Sequence, residues 1–89
     1  MELERSDEFK AWYRRLTEKQ QEQVDRKLRF LAQDYRHPSL EATKWADPNH
    51  FYCKISRGWR LFYDIYPRHY ELISVGPHDI EKTEKRRRR

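Results

Sequence analysis

A chain of 89 residues holds material for one hydrophobic core and no second domain of comparable size. Only 36% of the residues are hydrophobic, yet 15% are aromatic, and large rings bury enough area to support a folded core and exclude a disordered chain. The formal net charge of +5 directs attention to polyanionic partners.

That charge is unevenly placed. Residues 1 to 50 carry ten Lys/Arg against ten Asp/Glu, and residues 51 to 89 carry ten against five, so the whole excess lies in the second half. Such asymmetry fits a polyanion-binding face there, while the closing run Lys85-Arg86-Arg87-Arg88-Arg89 also reads as a solvated tail. We expect one domain over residues 1–84 and a basic tail over 85–89. The single cysteine, Cys53, leaves no partner for an internal disulfide. The first residues lack the apolar run of a secretory signal, and no stretch approaches the roughly 18 consecutive apolar residues that span a bilayer. A cytoplasmic protein without membrane contact is expected.

Residues 2–5 read as a short strand. Ser6 can cap a helix whose first turn, Asp7 and Glu8, suits the positive end of the helix dipole. Phe9, Trp12, Tyr13 and Leu16 then recur at i, i+3, i+4 and i+7, one buried stripe. Thr17 and Gln20 form a capping-box signature, and Val24, Leu28, Leu31 and Tyr35 continue at helical spacing on an otherwise charged second helix, which the His37-Pro38 step ends. With almost nothing between the stripes, the two helices must fold back as a hairpin and share one apolar side.

Three further prolines, in Asp47-Pro48, Tyr66-Pro67 and Gly76-Pro77, punctuate the second half. Between them lie Phe51 to Ile55, Trp59 to Tyr66 and His69 to Val75, aromatic and β-branched segments of strand length. Ser56-Arg57-Gly58 suits a three-residue loop with glycine in the left-handed position that closes a bulge. That loop sets Ile55 opposite Trp59, Cys53 opposite Leu61 and Phe51 opposite Tyr63 on a core face. It displays Tyr52, Lys54, Arg60 and Phe62 on the other, with Lys54 facing Arg60 and Tyr52 facing Phe62. A two-residue turn at Arg57-Gly58 would instead mix long cations into the buried layer, at several kcal/mol per unpaired charge. The expected fold class is α+β: an N-terminal helix hairpin on one face of a small, mainly antiparallel twisted sheet.

Cations for phosphate beside rings for unstacked bases are what single-stranded RNA recognition uses, although the same residues also suit edge protection or a partner interface. His78-Asp79 follows the last strand, where an imidazole can exchange protons near neutrality, or can serve as a loop residue with a local hydrogen bond. RNA cleavage through its own 2′-hydroxyl needs a base, cations for the developing phosphorane charge and an acid for the leaving oxygen, tasks that Lys54, Arg60 and His78 can divide. The candidate RNA-contacting set is Tyr52, Lys54, Arg57, Arg60, Phe62, Lys82, Lys85 and Arg86. His37, His50, His69 and Cys53 match no zinc spacing, and two isolated glycines build no phosphate loop, so neither metal nor cofactor is expected. Cys53 alternates with core residues and reads as a small buried hydrophobe. Asp64 and Glu71 lie on neighbouring strands with no partner acid of the glycosidase kind.

Element order together with His37-Pro38-Ser39-Leu40, Lys44, Phe51, Lys54, Arg60-Leu61-Phe62-Tyr63 and the run Ile73-Ser74-Val75-Gly76-Pro77-His78-Asp79-Ile80 resembles the RelE/ParE family of bacterial toxins, over almost the whole chain. The resemblance implies a type II toxin held inactive by an antitoxin whose helix and extended C-terminal segment wrap it. RelE-like members cleave mRNA in the ribosomal A site, which implies ribosome and mRNA as partners, with Lys54 and Arg60 in cationic roles and His78 where such toxins carry a C-terminal arginine or histidine. RelE-like toxins often have a tyrosine a few residues beyond the glycine. Here nothing after Tyr70 is tyrosine, and Glu81, Lys82 and Glu84 fill that region. The resemblance thus also implies two alternatives: a ParE-like inhibitor of DNA gyrase, or a catalytically degenerate chain that binds antitoxin and RNA.

Overall fold

The computed structural model describes residues 2–44 and 49–77. In chain order it has β1 (Glu2–Arg5), α1 (Asp7–Arg14), α2 (Glu18–Gln33), a 3₁₀ turn at Pro38–Leu40, then β2 (Thr43–Lys44), β3 (His50–Ser56), β4 (Trp59–Ile65) and β5 (His69–Pro77). The strands form one sheet in the order β1-β5-β4-β3-β2. Only β1 and β5 run parallel; the other neighbours are antiparallel. Among the described residues no helix is long and apolar enough to cross a membrane.

Both helix starts are built as the sequence requires. Ser6 Oγ accepts the Phe9 N–H at 3.0 Å and donates to the Ile73 carbonyl at 2.7 Å, so one hydroxyl caps α1 and ties it to β5. That carbonyl needs the tie. Phe62 pairs with Ser74 but Tyr63 pairs with Leu72, leaving Ile73 as the extra residue of a bulge outside the ladder. At α2 the Thr17 hydroxyl accepts the Gln20 N–H at 3.2 Å and the Gln20 side chain accepts the Thr17 N–H at 2.9 Å, satisfying two donors that a helix end would leave orphaned. The hairpin is pinned where Tyr13 Oη donates to Asp25 at 2.9 Å. Helix α2 stops at Gln33, four residues before the His37-Pro38 step expected to end it. Asp34 takes an extended conformation and its side chain accepts the Arg36 N–H at 2.9 Å, a local bond that competes with helix continuation.

One layer of side chains joins helices to sheet. Phe9, Leu16, Val24, Leu28 and Leu31 meet Cys53, Leu61, Tyr63, Leu72 and Val75, with Leu40 from the 3₁₀ turn. The β3–β4 register agrees with the expectation at Phe51–Tyr63, Tyr52–Phe62, Cys53–Leu61 and Lys54–Arg60. It departs at the tip, where Ser56 and not Ile55 stands opposite Trp59, the register shifting between Lys54 and Ser56. Gly58 has φ +79°, the left-handed conformation that glycine adopts without steric penalty. The turn therefore has two residues, and the bulge at Ile55 absorbs the step that would otherwise have carried Lys54 and Arg60 into the core. Strand β2 lies beyond the sequence reading: two residues give no periodic signal.

Cys53 is fully buried in this layer. Burial pushes its thiol up to about 12, an effect that the charge of Lys27 partly opposes. Because the folded value lies above the unfolded one, the associated stability is complete below about pH 9 and is lost as pH rises toward 12. We expect a disulfide exchange reagent at pH 8 to leave Cys53 unmodified in the native protein and to label it fully in denaturant. Prompt labelling of the native state would contradict the packing.

Candidate nucleic-acid interface

On the sheet face opposite the helices, β3 and β4 set three successive cross-strand pairs: Lys54–Arg60, Tyr52–Phe62 and His50–Asp64. Side chains two apart on a strand share a face and stand about 7 Å apart along it, so the three pairs form a short ladder away from the hairpin tip. Lys54 and Arg57 are exposed and Arg60 is half-buried. Together with Ile55, Ser56, Gly58 and Trp59 they line a groove of about 250 Å³ at that tip. This end of the ladder is cationic. The opposite end is acidic, with Asp64, Glu71 and Glu4 aligned across β4, β5 and β1.

The first two pairs are stacked. The Arg60 guanidinium lies 4.8 Å from the centroid of the Tyr52 ring, and that ring stands 5.7 Å from Phe62. Phe62 is only 1% exposed, which corrects the expectation that its ring is displayed. Alternation assigned its face correctly, but β4 is the middle strand of five, so neighbours on both sides cover a ring that would be open nearer an edge. Phe62 supports Tyr52, and Tyr52 supports Arg60. The outermost flat surface of the stack is thus the guanidinium, itself a plane on which unpaired bases stack.

The third pair was missed by sequence reasoning. His50 Nδ1 and Asp64 Oδ1 are 2.5 Å apart, and the two residues are 8% and 4% exposed. Tyr66 Oη donates to the other carboxylate oxygen at 3.4 Å. Starting the strand at Phe51 hid the pair. In the register derived for Phe51 and Tyr63, one further step brings His50 against Asp64. Nearby, His69 stacks on Tyr66 at 5.0 Å and its Nε2 lies 3.5 Å from Glu4. His78, Lys82, Lys85 and Arg86 lie outside the described residues.

No family model matches the sequence, and no curated protein matches it significantly. Solved structures do match, and they define the class: the chain has the fold of the RelE toxin. The isolated E. coli RelE toxin superposes with a TM-score of 0.73 at 22% identity, covering 96% of each chain. The intact E. coli RelBE toxin–antitoxin complex gives 0.73 at 24% identity over 85% of this chain and 94% of that one. YafQ from E. coli strain BL21(DE3) gives 0.76 at 10% identity over 90% and 96%.

Proposed function

We propose that this chain is the toxin of a type II toxin–antitoxin pair and inhibits translation by cutting mRNA on the ribosome. The observation that carries the reading is the Lys54–Arg60 pair at the cationic end of the open face, with Arg60 held over Tyr52, on the fold of a toxin. A RelE-like structure solved as a toxin–antitoxin complex supports a cognate antitoxin as partner.

Cleavage through the 2′-hydroxyl builds negative charge on the phosphorane oxygens, and preorganised cations stabilise that charge more than the ground state. Arg60, braced by Tyr52 and Phe62, offers fixed donors; Lys54 on the facing strand offers a mobile ammonium. His78 is the proposed proton carrier at the leaving oxygen. Arg57, Lys82, Lys85 and Arg86 add charge that draws RNA in without sequence preference.

The test is a translation reaction supplied with purified protein. Protein synthesis stops, and the product of the adjacent antitoxin gene restores it; DNA supercoiling by gyrase proceeds unaltered. Blocked supercoiling with translation intact would assign the chain to the gyrase-inhibiting alternative instead.

A further inference from the structure

The cationic pair and His78 leave one task without an owner, removal of the 2′-hydroxyl proton. Resting on the RNA-cleaving reading above, we infer that His50, held by Asp64, is the general base of this chain.

Four observations converge on it. A carboxylate can only accept, so the close contact with Asp64 Oδ1 places a proton on His50 Nδ1 and leaves the basic lone pair on Nε2, the tautomer a base requires. Asp64 is itself fixed, since its second oxygen takes the Tyr66 hydroxyl. The ring thus has one orientation and one tautomer, supplied by residues that a merely packed histidine does not need. His50 also shares its face with the cations: the pairs His50–Asp64, Tyr52–Phe62 and Lys54–Arg60 are consecutive. Finally, the Arg60 guanidinium leans over Tyr52, the middle pair, which brings positive charge to about one pair spacing, roughly 7 Å, from the His50 row. A phosphodiester seated above Tyr52 would meet Arg60 at its non-bridging oxygens and His50 at the neighbouring ribose.

The step balances without an outside reagent. His50 Nε2 takes the 2′-hydroxyl proton as the 2′-oxygen bonds to phosphorus. The bond from phosphorus to the 5′-oxygen breaks, and that oxygen leaves with a proton from His78 in its imidazolium form. A 2′,3′-cyclic phosphate and a 5′-hydroxyl end result, with no change of oxidation state. Asp64 acts through His50 and is a positioning residue.

The experiment measures cleavage of ribosome-bound mRNA by the parent chain, His50→Gln, His50→Ala and Asp64→Asn, each with a thermal melt. Parental cleavage with a His50→Gln rate lower by about 100-fold or more, the usual scale of a general base, is the expected result. For His50→Ala, added imidazoles restore the rate in order of their basicity, a response that restored packing would not produce. Asp64→Asn binds ribosomes as the parent does and cuts more slowly. Cleavage by His50→Gln at the parental rate would overturn the inference while leaving the toxin reading intact, as would rescue of His50→Ala that ignores imidazole basicity. A parent chain that cuts nothing would remove the reading on which the inference rests.

Discussion

Replacing Arg60 with alanine lowers ribosome-dependent mRNA cleavage by about 100 to 1,000-fold, the cost of deleting one preorganised donor to a developing oxyanion. The fold survives the change. Arg60 is half-buried on the open face, outside the core layer, and truncation forfeits its contact with the Tyr52 ring, worth about 0.5–1 kcal/mol. For a domain of this size that lowers the melting temperature by a few degrees, since roughly 1 kcal/mol corresponds to about 4–8 °C. Activity and stability therefore separate, and paired measurements of cleavage rate and thermal unfolding decide the matter. Arg60→Lys keeps the charge without the planar fork that lies over Tyr52, so it should fall between parent and alanine variant. Cleavage by Arg60→Ala at the parental rate would remove the cationic pair from the mechanism.

Phe62→Ala produces the opposite pattern, a loss of stability that precedes any loss of chemistry. Its ring is 1% exposed in the middle strand of the sheet, and removing a buried phenylalanine costs about 3–5 kcal/mol. Against the 5–15 kcal/mol that is ordinary for a domain, that is enough to leave much of the protein unfolded at growth temperature. Chemical denaturation of the purified variant measures the loss, and Phe62→Leu, which keeps most of the volume, recovers a large part of it. A displayed base-stacking ring would behave differently: the alanine variant would melt with the parent while RNA affinity fell. Melting of Phe62→Ala alongside the parent would show that the ring is not packed as described.

These two neighbours on β4 illustrate what the sequence disclosed and what it withheld. Alternation along Phe51 to Ile55 and Trp59 to Tyr63, with the need to keep Lys54 and Arg60 out of the core, determined which residues share the open face, because a slip of one position reverses every side chain. The helix hairpin was equally legible, since Ser6 and Thr17 are caps with one local geometry. Depth within a face was not. How far a side chain lies from solvent depends on strand order, and the place of β4 between β3 and β5 is a tertiary fact that converts Phe62 from a platform into a support. The same limit hid His50 and Asp64, fourteen residues apart and joined only through pairing at the far end of the hairpin. Local competition explains the remaining differences, such as the Asp34 side chain that ends α2 early and the bulge that makes a two-residue turn compatible with a core free of cations.

The account stands on RNA cleavage by this chain on ribosomes, and primer extension on an mRNA undergoing translation tests it most directly. With purified protein and programmed ribosomes, extension products should stop at new sites within the translated reading frame. The stops should vanish when ribosomes are omitted and diminish for Arg60→Ala. An mRNA that remains uncut at every position, while the same preparation blocks supercoiling by gyrase, would contradict the account.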